Sequence, residues 1–289
     1  MSLLNILILA IVQGLAELLP VSSSAHVVVA EKLLGLDPSS PPMTLLLVML
    51  HTGTMFAVIV YFWNQWRSTY FQSAPAFKQI AVRVVVATAF TAAVGEAIIL
   101  AIAKTAFRGA PHAEIEDLFS HLELISPALA AAGALILIAG ISERRRTARA
   151  AAQSADPTLV QAGLIGAVQG LCLPFRGFSR SGATISAGML LGVAKVRAEA
   201  FSFALAVILT PPVVIREVLR LVKAERVSGS VDLASVASLC VLGAVVAFFA
   251  GLIALKWLSR WLEGGRWYLF GIYCLVAAAA VAGLHALGY

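Results

Sequence analysis

Apolar residues in this chain run in long blocks with polar interruptions mainly at their ends, unlike the alternation of a half-buried strand. Three such blocks, at about 43–63, 81–103 and 122–142, are followed by three more at about 199–219, 232–255 and 266–287. Each reaches the roughly 20 helical residues needed to cross a hydrocarbon core. Two further apolar regions, about 3–36 and 158–193, are broken midway by proline, glycine and serine. The halves of these regions are too short to cross, so each region predicts a pair of short helices that enters and leaves on one face. The expected fold is an all-α integral membrane protein with six spanning helices and two re-entrant broken helix pairs.

The two broken regions are related. "VQGL" stands at Val12–Leu15 and again at Val168–Leu171, 156 positions later. The same shift carries the first spanning block onto 199–219 and the second close to its observed place, while the third is displaced by about the length of the extra loop 104–121. Residues 1–145 and 158–289 therefore read as two copies of one unit within a single membrane domain. An odd number of spans per copy turns the second upside down. Matched broken helices in such an inverted repeat point to a binding site near the membrane midplane.

Composition agrees with the pattern. Hydrophobic residues make up 60% of the 289 and charged residues only 12%, with mean hydropathy +0.92, where soluble domains carry about 25% charge. The net charge of +6 is no sign of nucleic-acid binding, because the basic residues gather at segment ends, as in "ERRRTAR" (Glu143–Arg149). The side of the membrane with the larger share of Lys and Arg is assigned to the cytoplasm, which puts both termini outside. Cys172, Cys240 and Cys274 lie in apolar stretches without disulfide or metal spacing and are expected to be core thiols. The first apolar run leads into a polar motif, not into a small-residue cleavage site, so no cleavable leader is expected.

That motif, "ELLPVSSSAH" (Glu17–His26), raises the question of chemistry. A serine cluster beside a proline is ordinarily a helix cap, and Ser22, Ser23 or Ser24 can cap the helix that carries His26. Ser179 or Ser181 can do the same for the helix that carries Thr184. Helix N-termini offer unpaired N–H groups and partial positive charge, which suit phosphate. Arg180 adds a fork for phosphate oxygens, and Gly177 and Gly182 let the backbone come close. Gln13 and Glu17 share a helix face and offer oxygen ligands to a hard divalent cation bound with a diphosphate. His26 can move a proton or attack phosphorus. Together these parts point to phosphoryl transfer, with serine, histidine and water all open as nucleophile. Glu96 and His51, polar within spanning blocks, stay unassigned.

At these residues the chain resembles the undecaprenyl-diphosphate phosphatases of the BacA, or bacitracin-resistance, family. That family carries [E/Q]GxxE followed by PVSS[S/T]GH, then PGxSRSGxT, and here the stretches read "QGLAELLPVSSSAH" and "RGFSRSGAT". The likeness extends through "HTGTMFAVIVYFW" and "EAFSFALAV" to most of the chain. It implies that Glu17, Ser23, His26 and Arg180 are catalytic. It also implies that Ser22, Ser179, Arg180, Ser181, Gly182 and Thr184 bind substrate phosphate, and that Gln13 and Glu17 hold Mg²⁺ or Ca²⁺. It further implies hydrolysis of undecaprenyl diphosphate to the monophosphate carrier for cell-wall glycan synthesis. The site would face the outer side of the bacterial cytoplasmic membrane, bacitracin would compete for the same lipid, and a homodimer stays open. Three departures stand out. Ala25 replaces the glycine before the histidine, Gln13 is the amide form of its position, and Arg176 precedes Gly177 as an extra cation. A lipid-phosphate transporter built on the same inverted repeat is the alternative. The acid-phosphatase-like lipid phosphatases are a poorer match, since Ser186 stands where their pattern wants histidine.

Overall fold

Proline decides where the first helix stops. Helix α1 (Leu3–Leu18) begins where the Ser2 hydroxyl accepts the Asn5 N–H at 3.2 Å, and ends because Leu19, before Pro20, turns extended at φ −78° and ψ 151°. Helix α6 (Leu159–Cys172) opens on a reciprocal cap between Thr158 and Gln161 and ends just ahead of Pro174. At 16 and 14 residues these helices are roughly 24 and 21 Å long, short of a 30 Å hydrocarbon core. After each break comes a helix of 11 residues, α2 (Ser23–Leu33) and α7 (Arg180–Leu190).

The structure, a computed structural model, describes residues 2–36, 41–105, 122–147, 156–175, 177–228 and 233–287. Among the described residues there are ten helices and no strand. The six long ones are α3 (Pro41–Thr69), α4 (Ala74–Thr105), α5 (Leu122–Thr147), α8 (Lys195–Ser228), α9 (Leu233–Glu263) and α10 (Trp267–Ala286). Five of them, all but α8, hold segments long and apolar enough to cross a membrane. In α8 the uncharged stretch from Ala200 to Ile215 is 16 residues and contains Pro211 and Pro212, so that helix is long but its greasy part is short. Phe56, Trp63, Val85, Phe90, Phe249 and Ile253 lie exposed on the outside, where lipid covers them at no cost. The three cysteines are buried free thiols.

The two halves of the chain interlock. Helix α1 packs on α9 and α6 packs on α4, while α3 meets α8 and α9, and α5 meets α10. Glycine allows the closest of these approaches. A Cβ on Gly14 would stand 2.6 Å from Ala250 Cβ and 2.8 Å from Ala247 O; one on Gly170 would stand 2.9 Å from Val94 Cβ and 2.7 Å from Thr91 O. Gly14 and Gly170, Thr91 and Ala247, and Val94 and Ala250 are all separated by the same 156 positions as the two "VQGL" stretches. Each broken helix thus lies against the matching site of the other half.

Gly170→Ala should press a methyl group into the α4 backbone, which cannot yield as a flexible side chain does. An overpacking cost of about 1–3 kcal/mol is expected, read as a lowered thermal midpoint in detergent. Gly283→Ala, where nothing lies within 4 Å, should leave the midpoint unchanged or slightly raised.

Candidate active site

The two broken regions meet at their breaks. Ser181 Oγ donates to Leu19 O at 3.3 Å, and Gly177 N–H donates to Ser24 Oγ at 3.4 Å. Gly177 has φ +99°, and a side chain there would strike the Ile125 backbone, so only glycine fits this crossing. Ser179 caps α7 by accepting the Gly182 N–H at 3.2 Å. Ser22 is the N-cap residue of α2 but makes no side-chain cap; it sits at φ +66°, the one non-glycine residue described with a positive φ. The positive φ falls at Ser22 and not at position 25, so Ala25 is tolerated where the family has glycine.

At the meeting point stands the Glu17 carboxylate, its side chain 13% exposed. Arg180 Nη2 donates to Glu17 Oε1 at 2.9 Å. On the other oxygen, Oε2, Ser23 Oγ donates at 2.5 Å and Gln13 Nε2 at 3.0 Å, with His51 Nε2 3.6 Å away. Gln13 reaches Glu17 because four residues make one helical turn. Turned the other way, its amide would set oxygen against carboxylate, so the NH₂ must face Glu17. Among the described residues, Arg180 has no other side-chain partner than Glu17. The rest of its fork is free for another anion.

Glu17 and Arg180 wall one end of a pocket lined also by His51 and Thr54 from α3 and by Thr210 from α8, whereas Ser23 and Gln13, bound to Glu17 Oε2, are not among its lining residues. Met55, Val58, Ala206 and Val207 make its apolar walls. A compact polar end with greasy walls suits an amphiphile with an anionic head.

Not every expected residue faces this cavity. Thr184 is fully buried, donating to Arg180 O at 2.8 Å and meeting Ser202 Oγ at 2.5 Å. Gly182 packs against Ile136. The Ser181 and Ser179 hydroxyls are spent on Leu19 and on the cap. His26 turns toward α10: its Nδ1 is 2.8 Å from Ser22 O and its Nε2 2.7 Å from Tyr273 Oη. Arg176 lies outside the described residues. Glu96 sits on an exposed face of α4, away from the cavity.

Sequence reading passed over Thr54 and Thr210, yet they carry a signal, for they too are 156 positions apart. His51 could have been found as the polar neighbour of Thr54, three positions along the same face of α3. Tyr273 gave no signal, being one ring in a 20-residue apolar helix 247 positions from His26.

The side chains do not fit a resident divalent cation. Among the described residues, the only carboxylate lining the pocket has both oxygens engaged by donors, and Arg180 already supplies its countercharge. Among the described residues no group of three or more His, Cys, Asp and Glu side chains could hold a metal. Hard cations such as Mg²⁺ bind through one or two carboxylates plus substrate phosphates.

A match to the family described as "Bacitracin resistance protein BacA" covers residues 6–280. The chain is 55% identical to a protein of Acinetobacter baylyi named "Undecaprenyl-diphosphatase 2", over 97% of each chain. It is 34% identical to an "Undecaprenyl-diphosphatase" of Desulfatibacillum aliphaticivorans, over 96% of this chain and 97% of the other.

Removing Arg180 strands a carboxylate in a poorly hydrated place. Arg180→Ala should lower stability by about 1–3 kcal/mol, and adding Glu17→Gln to that variant should recover part of the loss. Thermal midpoints of the four proteins of the cycle, in one detergent, measure this coupling; equal effects of Glu17→Gln in both backgrounds would show that the pair is not coupled.

Proposed function

The chain belongs to the bacitracin resistance protein BacA family, and on that premise we propose that it hydrolyses undecaprenyl diphosphate to undecaprenyl phosphate and inorganic phosphate. The observation that carries this reading is the junction of a carboxylate with a hydroxyl and an anion grip: Glu17 and Arg180 line an apolar-walled pocket, and Ser23 donates to the same Glu17 carboxylate. The lipid monophosphate so regenerated is the carrier for cell-wall glycan synthesis.

The geometry favours Ser23 as nucleophile. Its hydroxyl already donates to the Glu17 carboxylate at 2.5 Å, whereas both ring nitrogens of His26 are engaged. In this reading the terminal phosphate enters beside Arg180, whose spare N–H groups hold its oxygens. Ser23 Oγ attacks the terminal phosphorus and its proton passes to Glu17. The bond from that phosphorus to the bridging oxygen breaks, and undecaprenyl phosphate departs. Water then attacks the phosphoserine, giving its proton to His26 Nε2, while Glu17 returns a proton to Ser23 Oγ. His26 serves here because it lies three positions beyond Ser23, one turn along α2. The helix and arginine act mainly by holding charge where it develops.

Other parts of the reading follow from the same premise. Mg²⁺ or Ca²⁺ enters as a chelate of the diphosphate, part of the substrate and not of the resting protein. Residues 1–145 and 158–289 form the two inverted copies, a reading that the reciprocal glycine contacts support. The site opens to the outer face of the bacterial cytoplasmic membrane, so bacitracin competes for the same lipid there. A homodimer is compatible with the uncovered face of α4, on which Glu96 lies exposed. The transporter alternative finds no support in relatives that are all named as diphosphatases.

Purified protein in detergent, with no second compartment, should release phosphate from undecaprenyl diphosphate when Mg²⁺ or Ca²⁺ is added with the lipid. No release with either cation would overturn the reading. Arg180→Ala should lose on the order of 10²–10³-fold in rate, and Arg180→Lys should recover little because ammonium lacks the planar fork. Acid quenching with terminally labelled substrate should leave label on Ser23, and none in Ser23→Ala; label on His26 would move the nucleophile there. EDTA should stop turnover yet leave the thermal midpoint of substrate-free protein unchanged, whereas a fall in midpoint would reveal a resident ion.

A further inference from the structure

Helix α10 reaches the break in the first half through two adjacent side chains. Cys274 Sγ donates to Pro20 O at 3.3 Å, and Tyr273 Oη meets His26 Nε2 at 2.7 Å. The Tyr273 and His26 rings are nearly parallel, centroids 5.7 Å apart and planes within 11°. They lie side by side, so the phenol oxygen meets Nε2 close to the plane of the imidazole.

The proton arrangement follows from the partners. Ser22 O, 2.8 Å from His26 Nδ1, can only accept, so Nδ1 carries a hydrogen. That carbonyl is aimed by the positive φ of Ser22, a backbone state that costs energy and survives where the surroundings enforce it. In the neutral ring Nε2 then bears the lone pair, and the Tyr273 O–H must donate to it. When Nε2 takes a proton, the phenol oxygen becomes the acceptor of the same hydrogen bond. Tyrosine can play both parts; phenylalanine can play neither.

We propose that Tyr273 is the positioning residue of His26: Ser22 O sets the tautomer, and the phenol holds the orientation of the ring and swings off Nε2 when the attacking water arrives. This rests on the proton-accepting role given to His26 above. Ser22 O and Tyr273 Oη clamp the imidazole from two sides, one from its own helix and one from α10. The tyrosine is 47% exposed, so its ring can swing aside without opening the core.

Tyr273→Phe keeps the ring while deleting only the hydroxyl. Substrate-free protein labelled with ¹⁵N-histidine should show His26 as the Nδ1–H form with a hydrogen-bonded Nε2. In the variant Nδ1–H should persist while the Nε2 resonance moves to that of an unbonded lone pair. Phosphate release should then fall about 10- to 100-fold in kcat with KM within twofold. An Nε2 resonance identical in wild type and variant would overturn the proposal whatever the rates, since it requires no enzymatic turnover to observe. A shifted resonance with unchanged kcat would overturn it too, because the hydrogen bond would then be irrelevant to the reaction. Failure of the wild type itself to release phosphate would instead sink the functional reading, leaving the resonance test to stand alone.

Discussion

A carboxylate enclosed among apolar helices must be satisfied, and the groups around Glu17 satisfy it. Water is scarce there, so an uncompensated charge is costly and seldom idle. Its two oxygens draw in an arginine from the second half of the chain, a serine from beyond the first break and an amide one helical turn back. That convergence requires α1 to stop at Leu18 and α2 to start at Ser23, which Pro20 enforces. It also requires α7 to start at Arg180, which the Ser179 cap enforces. The breaks are therefore not defects in two greasy helices. They bring both helix ends to a single charge.

An arginine that spends one N–H on a carboxylate keeps the others for an incoming anion. In the resting protein the pair is close to neutral, which limits the cost of burying it. In the mechanism proposed above, a phosphate oxygen arriving at the free side of the guanidinium draws positive charge away from Glu17. The carboxylate then becomes a stronger acceptor for the Ser23 proton. On that proposal binding and activation are coupled through one planar group, and lysine, a point charge on a flexible stem, cannot serve two partners in this way.

Much of this was legible in the chain. The spanning blocks announce themselves because lipid tolerates so little charge, and the breaks because proline and glycine have no other business in such blocks. Glu17, Ser23 and Arg180 stand out for the same reason: each is expensive where it lies. Other features were hidden. Helix α8 is uncharged over only the 16 residues between Glu199 and Arg216, and Glu199 itself is buried within the protein, which its place in the sequence does not announce. Thr184 looks like a phosphate ligand in a motif, yet its side chain points into the protein, which depends on the packing of α7 against α8. Tyr273 is invisible because a hydroxyl on a large ring is cheap near a membrane surface and sits in many apolar helices without consequence.

The interlocking of the two halves bears on how such a chain is made. Helix α1 is synthesised first, but Gly14 finds its close partner at Ala247 and Ala250, more than 200 residues later. At ribosomal speeds of about 5–20 residues per second, that delay is roughly 10–50 seconds. Throughout it the first broken pair, with an acid and a row of serines, lacks α9 to lie against, and for most of it lacks Arg180 as well. A newborn chain must shelter this polar segment at the bilayer surface or against the insertion machinery, and only the last third of the sequence allows it to sink home. Assembly order, as much as the finished packing, constrains where polar residues can stand in an interlocked membrane protein.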